Sequence, residues 1–253
     1  MREHSKHARP AVGVAAVAIS AGVLWYVTQS ASTHALLRAD ANDIPAIPRL
    51  MQYGTSLGRA VYRTSCVSCH GPEGEGDPRF GAPNLRDQDW LYSTGLPAEI
   101  ERTVTYGIRS GHPKARNMTS MPAYARAAPL QGQHLPSLTP AQISDLVEYL
   151  VSLSGHQTGI AARNRGKKLF STTAGCSDCH AEDARGDGSI GAPNLTDQIW
   201  LYGDGGRAAI ADSISRGRQG VCPAQVNRLS VAEIREVALY VYTLSRPFES
   251  KVD

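Results

Sequence analysis

The sequence predicts an all-α chain that holds two copies of one domain behind a single N-terminal transmembrane helix. Short motifs recur at an offset of 110 residues, the difference between Gly191 and Gly81. Each copy closes with an amphipathic segment that starts at a capping box. Residues 10–37 contain no formally charged side chain, and this stretch is long enough to cross a bilayer.

The internal repeat is carried by two pairs of motifs. Gly81-Ala82-Pro83-Asn84-Leu85 returns as Gly191-Ala192-Pro193-Asn194-Leu195. Trp90-Leu91-Tyr92 returns as Trp200-Leu201-Tyr202. Self-similarity at a fixed spacing indicates repeated structural units, so two domains of one kind are expected.

The helices that close the two copies begin at Thr139 and Ser230, each followed three residues later by Gln142 or Glu233. This spacing is the sequence signature of a helix N-terminus. The apolar residues that follow have helical spacing. They are Ile143, Leu146, Val147, Leu150 and Leu153 in the first copy, and Ile234, Val237, Ala238, Val241 and Leu244 in the second.

The N-terminal segment is predicted to anchor the chain in a membrane. Residues 1–9 hold three cations, Ala11 to Val27 are mostly apolar, and Trp25 and Tyr26 suit the headgroup boundary. A cleaved signal peptide is the alternative, with Ser30-Ala31-Ser32 as a cleavage site. Since the apolar stretch exceeds the usual signal-peptide length, we favour an uncleaved single-pass anchor in the bacterial inner membrane. In either case the rest of the chain lies in the periplasm.

The predicted division of the chain follows from these features. We expect an anchor at residues 1–33, a linker at 34–52, domain 1 at 53–155, a linker at 156–162 and domain 2 at 163–246. The net charge of +3 falls to 23 minus 22 beyond residue 9. A charge near +1 disfavours nucleic-acid binding.

Two cofactor-attachment motifs are the main chemical signal. Cys66-Val67-Ser68-Cys69-His70 and Cys176-Ser177-Asp178-Cys179-His180 both have the Cys-x-x-Cys-His form of a covalently attached c-type haem. In each motif the histidine binds the iron from one axial side. A zinc site is the alternative, but zinc requires four ligands that converge, and each cysteine pair heads its own repeat. The sequence thus predicts two covalently bound haems.

The order of motifs resembles the di-haem subunit III of cbb3-type cytochrome c oxidases over about residues 50 to 246. The resemblance rests on the haem motif, GAPNL, D-Q-x-W-L-Y, G-I-R-S, S-M-P-A and a closing Y-L-x-S-L-S helix, in tandem behind an anchor. It implies two class I cytochrome c domains that pass electrons from a soluble cytochrome donor to oxidase core subunits. It also implies that the carbonyls of Pro83 and Pro193 accept hydrogen bonds from His70 and His180.

The first haem needs a sixth ligand. Met121, in Ser120-Met121-Pro122-Ala123, matches the ligand position of that family, and a thioether is a usual partner of haem iron in electron carriers. Met118 is the alternative methionine. His112 and His134 are further candidates, although a lone loop histidine is more often solvated. We therefore expect the first haem to be ligated by His70 and Met121.

The second haem departs from the family, because no methionine follows Met121 and no histidine follows His180. Cys222-Pro223-Ala224 stands at the repeat position of Met121-Pro122-Ala123. We hypothesise that Cys222 binds the second haem as a thiolate, favoured by Arg216 or Arg218. The alternatives are a free or intermolecularly paired thiol, and a ligand such as Lys251 or one from a partner. Thiolate ligation makes the second haem the more reducing one.

Electron transfer is the function that this resemblance implies. The sequence contains no carboxylate pair, nucleophile-base set or phosphate loop, so any chemistry would have to take place at a haem iron. The alternative is a di-haem sulfur-compound oxidoreductase similar to thiosulfate dehydrogenase, or a haem sensor with a Cys-ligated haem.

Overall fold

The structure, a computed structural model, describes residues 27–117, 119–127 and 135–246. These residues form helices joined by loops with isolated bridges and no strand. The helices are α1 (residues 27–38), α2 (Pro48–Ser65), α3 (Val67–His70), α4 (Pro97–Tyr106), α5 (Pro140–Leu153), α6 (Ile160–Ser171), α7 (Ser177–His180), α8 (Arg207–Arg216) and α9 (Val231–Ser245), with a 3-10 helix at Ile44–Ala46. None of those described is long and apolar enough to span a membrane. The predicted span lies almost wholly outside the described residues.

The two predicted closing helices are confirmed as α5 and α9. The Thr139 hydroxyl accepts the N–H of Gln142, and the Gln142 side chain returns to the N–H of Thr139. Ser230 and Glu233 make the same reciprocal pair at the start of α9. Both helices therefore begin where the capping boxes predict. At the N-terminus of each helix, two backbone N–H groups that would otherwise lack a partner are satisfied.

Residues 34–52 differ from the predicted tether, because most of them are helical and partly buried. Pro45 and Pro48 stand in the first turns of the 3-10 helix and of α2. Proline is tolerated there, since the first-turn N–H groups have no partner within the helix. Leu36, Ile44 and Met51 are fully buried in a cluster with Leu239 of α9. The segment thus packs onto the second repeat.

The terminal helices of the two repeats are exchanged. Helix α2 of the first repeat packs against α9 of the second, and α6 of the second packs against α5 of the first. Tyr62 and Phe170, which occupy the same repeat position on α2 and α6, pack on a neighbouring helix. The ring of Tyr62 lies 5.2 Å from that of Tyr240, and Phe170 lies 5.4 Å from Tyr149. The neighbouring helix comes from the other repeat in both cases.

A glycine makes each of these helix crossings close. A Cβ atom at Gly58 would stand 2.0 Å from the Glu236 carbonyl oxygen on α9, and one at Gly166 would stand 2.0 Å from the Asp145 carbonyl oxygen on α5. Such distances leave no room for a side chain, so the backbones touch only because glycine has none. The two crossings have residues of the same types, a glycine facing an acidic residue and a tyrosine. These local contacts would therefore be similar if each closing helix packed on the first helix of its own repeat.

Two units result from this exchange, and neither matches a predicted domain. Unit A consists of residues 48–117 and 218–246, and unit B consists of the described residues within 119–217. Arg235 of α9 ties unit A to the segment that precedes it, because its Nε donates to Glu101 of α4 at 2.5 Å and its Nη1 donates to the carbonyls of Leu36 and Ala39 at 3.0 Å. The closing helix of each predicted domain, 53–155 and 163–246, thus packs on the first helix of the other.

The connection between α5 and α6 gives the physical reason for the exchange. Only residues 154–159 join these helices. A connection of this length favours direct packing of successive helices, and α6 packs on α5. Helix α2 is then left to α9. The chain passes between the units close to two backbone hydrogen bonds. The N–H of Ile108 donates to the Cys222 carbonyl at 2.9 Å, and the N–H of Met121 donates to the Arg218 carbonyl at 3.0 Å.

Candidate functional site: two haem-attachment centres

The first attachment motif is one turn of helix. Helix α2 ends at Ser65, and the N–H of His70 donates to the Cys66 carbonyl at 3.0 Å. Residues at positions i, i+3 and i+4 share one face of a helix, so Cys66, Cys69 and His70 face the same side. Gly71, at φ 77°, then turns the chain away. The motif can thus present two thiols and one imidazole to a single porphyrin.

The second motif repeats this geometry in unit B. The N–H of His180 donates to the Cys176 carbonyl at 2.9 Å, which brings Cys176, Cys179 and His180 to one face of α7. Ala181 takes the place of Gly71 and has φ 62°. A non-glycine residue in this region is strained by about 1 kcal/mol or more. The same backbone turn is therefore kept even where the residue does not favour it.

The two histidines are oriented as the resemblance implies. The Nδ1 atom of His70 lies 3.1 Å from the Pro83 carbonyl oxygen, and that of His180 lies 3.0 Å from the Pro193 carbonyl oxygen. Burial lowers the pKa of both imidazoles, which favours the neutral form. With Nδ1–H donating to a carbonyl, Nε2 keeps its lone pair for a metal.

Trp90 tests whether the pocket of unit A fits a haem. Its indole packs with Cys66 and Val67 around the apolar cluster of α2, α4 and α9. Within the described part of the chain, its buried Nε1–H has no hydrogen-bond partner. An orphaned buried donor costs about 1–3 kcal/mol. A haem carries propionate oxygens that can accept such a bond, so the donor set and the apolar lining both fit the group.

Met121 lies in unit B, with the second attachment motif. It packs on the apolar cluster that also includes Cys176 and Trp200. The N–H of Tyr124, three residues on, donates to the Ile214 carbonyl at 3.0 Å, and the Tyr124 hydroxyl donates to the carbonyl of Ala174. The expected pairing of Met121 with His70 therefore differs from the structure, where the Met121 loop and α5 cross together into unit B.

Cys222 lies in unit A, with the first attachment motif. Its N–H donates to the Ile108 carbonyl at 3.0 Å, and the following residues run along α4, where Gln225 N–H donates to Val104 at 3.1 Å. Burial, followed by the nearby Cys69 thiol, raises the pKa of Cys222 to about 11. The hypothesised pairing of Cys222 with His180 is thus also exchanged.

The arginines that were expected to favour a Cys222 thiolate are engaged elsewhere. Arg216 pairs with Asp212 at 2.7 Å, and Arg218 pairs with the same carboxylate at 2.9 Å. Both guanidinium groups therefore form ion pairs with Asp212, and neither pairs with Cys222.

The other candidate ligands are placed away from the centres or cannot be placed. His112 stacks on Tyr106 with ring centroids 4.9 Å apart, and its Nδ1 accepts the N–H of Lys114. Met118, His134 and Lys251 lie outside the described residues. Sequence reasoning missed the exchange itself, and the short segment 154–159 was the signal that could have indicated it.

A narrow cleft of about 120 Å³ lies between the two attachment centres. Its lining includes both Pro83 and Pro193, together with the carboxylates of Asp87 and Asp89. Burial, with a further contribution from Asp197, raises the pKa of both carboxylates. The cleft therefore brings like charges from the two units together.

This cleft leads to a pH-dependent prediction for Asp89→Asn. A carboxyl whose folded pKa is raised binds protons more tightly folded than unfolded, so stability falls as pH rises through that pKa. We expect the variant to equal the wild type below about pH 4 and to be more stable at pH 7 by on the order of 0.5 kcal/mol, since partly exposed charges are screened. Urea denaturation at both pH values measures this. The matched control is Asp183→Asn at an exposed position, and a gain as large there contradicts the prediction.

Comparison with known proteins agrees with the repeats and the attachment motifs. A family model for cytochrome c matches residues 55–154, and one for cytochrome c oxidase, cbb3-type, subunit III matches residues 161–241. The chain is 40% identical over 209 residues to the cbb3-type cytochrome c oxidase subunit CcoP of Cereibacter sphaeroides, covering 83% of this chain and 67% of that protein. It is 39% identical over 212 residues to the subunit FixP of a Bradyrhizobium species, covering 83% and 68%.

The helical fold and the two Cys-x-x-Cys-His centres define a di-haem c-type cytochrome, with two covalently bound haems. Each centre has a histidine held by a proline carbonyl and a pocket lined by an aromatic indole. The chain belongs to the family of subunit III of cbb3-type cytochrome c oxidases. It is therefore an electron-transfer cytochrome of the oxidase type, as the resemblance implied.

Proposed function

We propose that this chain is a membrane-anchored periplasmic cytochrome that carries electrons from a soluble donor cytochrome to the core subunits of a cbb3-type oxidase. The supporting observation is the pair of attachment centres, one in each unit, each with an oriented histidine and a protein loop on hand for the sixth position. When bound, each haem supplies a one-electron couple at its iron. Two such centres in one chain suit stepwise electron transfer.

The sixth ligands are proposed in exchanged order. Met121 would be the sixth ligand at the His180 centre, because it packs on the same apolar cluster as Cys176. Cys222 would be the sixth ligand at the His70 centre, because its backbone forms hydrogen bonds with Ile108, just after α4. The thiol keeps its proton while free, because burial raises its pKa, and it loses that proton on binding a metal.

The exchanged order sets the direction of electron flow. A thiolate donates electron density to iron and lowers its reduction potential, whereas a thioether raises it. Cys222 therefore makes the centre at His70 the more reducing one, and Met121 makes the centre at His180 the more oxidising one. With these ligands, electron transfer from the first centre to the second would run downhill. Donor electrons are expected to enter at unit A and leave from unit B.

A purification and a topology experiment test the proposed role together. The tagged full chain, extracted from membranes with detergent, is expected to retain oxidase core subunits through affinity purification. A reporter that works only in the periplasm, fused after Asp253, is expected to be active because residues 1–33 are the predicted anchor. Recovery of the chain free of oxidase core subunits argues against the oxidase role. Activity of a cytoplasmic reporter at the same position contradicts the topology.

A further inference from the structure

The tyrosines of the repeated Trp-Leu-Tyr motif cross between the units. Tyr202 of unit B lies on Gly81 of unit A, and a Cβ atom at Gly81 would stand 2.0 Å from Tyr202 Cζ. Tyr92 of unit A lies on Gly191 of unit B in the same way, at 2.1 Å. Both contacts need a residue without a side chain. Each ring therefore fills a notch that only glycine can provide in the other unit.

The ring of Tyr202 is held on several sides. The Arg218 guanidinium lies over it, 4.5 Å from the ring centroid, and a Cβ atom at Gly220 would stand 3.0 Å from the tyrosine hydroxyl. Arg218 is itself fixed, because it pairs with Asp212 at 2.9 Å and donates to Ser213 Oγ at 3.0 Å. Cation–π contacts of this kind are worth about 0.5–2 kcal/mol. The ring is thus locked rather than loosely stacked.

The ring of Tyr92 has a similar but weaker brace. Arg116 lies over it at 4.8 Å and donates to Thr103 Oγ1 at 3.3 Å. Burial, and then the charge of Arg102, lowers the pKa of Arg116. Arg102 occupies the repeat position of Asp212, so the acidic partner of one brace is replaced by a like charge in the other. A backbone bond from Ser93 N–H to the Gly188 carbonyl, at 3.2 Å, adds a second tie across the same boundary.

Both notches lie in the loops that orient the haem histidines. Gly81 precedes Pro83 by two residues, and the Pro83 carbonyl accepts the bond from His70. Gly191 precedes Pro193 by two residues, and the Pro193 carbonyl accepts the bond from His180. A ring pressed on the glycine limits how far the proline carbonyl can move. The tyrosine of one unit therefore contacts the loop that supplies this carbonyl in the other.

We propose that Tyr202 and Tyr92 are positioning residues that orient His70 and His180 across the unit boundary, so that the potential of each haem depends on a tyrosine of the opposite unit. This deepens the proposed electron-transfer function. A histidine that donates Nδ1–H to a carbonyl is a more basic metal ligand. Loss of the ring loosens the loop, weakens that bond and raises the reduction potential of the opposite haem.

The test is a redox titration of the purified full chain in detergent, followed by electron paramagnetic resonance. Two double variants, Cys66→Ala with Cys69→Ala and Cys176→Ala with Cys179→Ala, assign each midpoint to its centre. Tyr202→Ala is expected to raise the midpoint of the first haem and to leave that of the second unchanged. Tyr92→Ala is expected to do the reverse. The expected change is about tenfold in the ratio of reduced to oxidised iron, which corresponds to about 59 mV for a one-electron couple. Tenfold is the lower end of the effect typical of losing a hydrogen bond to a metal-binding histidine.

Two controls separate positioning from general loosening. Tyr202→Phe keeps the ring and is expected to retain both wild-type midpoints. Ile214→Ala removes a buried side chain of unit B and is expected to lower stability without moving the first-haem midpoint. Where Tyr202→Ala does not fold, Tyr202→Leu serves in its place, with the same expected shift.

Three outcomes overturn the proposal. In the first, Tyr202→Ala lowers stability and leaves both midpoints unchanged. In the second, it moves the haem of its own unit. In the third, Ile214→Ala moves the first-haem midpoint as far as Tyr202→Ala does. None of these results depends on oxidase core subunits, so failure here is distinct from failure to purify with an oxidase.

Discussion

Placing a charge at Val237 is expected to unfold unit A and expose the first haem, whereas the same change at Leu146 is expected to expose the second. The two residues occupy the same position of the repeat, on α9 and α5, and both are 0% exposed. Val237 packs with Tyr62 and Cys66, and Leu146 lies in the cluster that includes Phe170. An unpaired buried carboxylate costs several kcal/mol, a large share of the 5–15 kcal/mol that stabilises a typical domain.

Limited proteolysis with mass spectrometry of the haem peptides measures this effect. In Val237→Asp, the peptide that carries Cys176–His180 should stay protected while the one that carries Cys66–His70 is digested. Leu146→Asp should give the opposite pattern. Val231→Asp, at a position 66% exposed on α9, is the matched control and should resemble the wild type. Consecutive domains demand the inverted result, so a digested Cys176–His180 peptide in Val237→Asp would disprove the helix exchange.

Cys222→Met is expected to raise the reduction potential of the first haem and to leave that of the second unchanged. A thiolate stabilises oxidised iron and a thioether stabilises reduced iron, and axial ligands move haem potentials over a range of about 0.8 V. Exchange of a strong donor for a weak one should cover a sizeable part of that range. The downhill step from unit A to unit B would then largely disappear.

Electron paramagnetic resonance of the oxidised protein and redox titration together check this result. The wild type should show a low-spin first haem whose signal changes in Cys222→Met. Met121→Cys is the matched variant and should lower the potential of the second haem only. Thiolate ligation at the first haem is ruled out by an unchanged low-spin signal in Cys222→Met, or by a high-spin first haem in the wild type. A change confined to the second haem refutes the exchanged order instead.

The sequence determined the local chemistry of each centre. Cysteines and a histidine at positions i, i+3 and i+4 share a face in any helix, so Cys66–His70 and Cys176–His180 could be read as attachment sites without a fold. The starts of α5 and α9 were predictable for a related reason, because a capping box is satisfied within four residues. The proline carbonyls that orient the histidines followed from the family resemblance, and their distances agree with it.

The sequence contains prolines at 45 and 48, but it does not show whether they lie in a linker or in a helix. The same residues occur in loose linkers and in first helical turns, and the buried contacts of Ile44 and Met51 with Leu239 decide between them. Those contacts join positions almost 200 residues apart in the chain. Local pattern carries no information at that range, so the packed N-terminal segment was not predictable.

Only the tertiary structure decided which closing helix lies beside each centre, and with it which of the loops that carry Met121 and Cys222. Gly58 and Gly166 both meet a helix that presents an acidic residue and a tyrosine at the crossing, so the two alternatives are equivalent at the level of local residues. The short connection at 154–159 makes α5 and α6 neighbours, and α2 and α9 pair as a consequence. Met121 and Cys222 move with the helices that follow them. The sequence alone thus indicated two haem-attachment centres, whereas long-range packing decided which closing helix and which loop lie beside each of them.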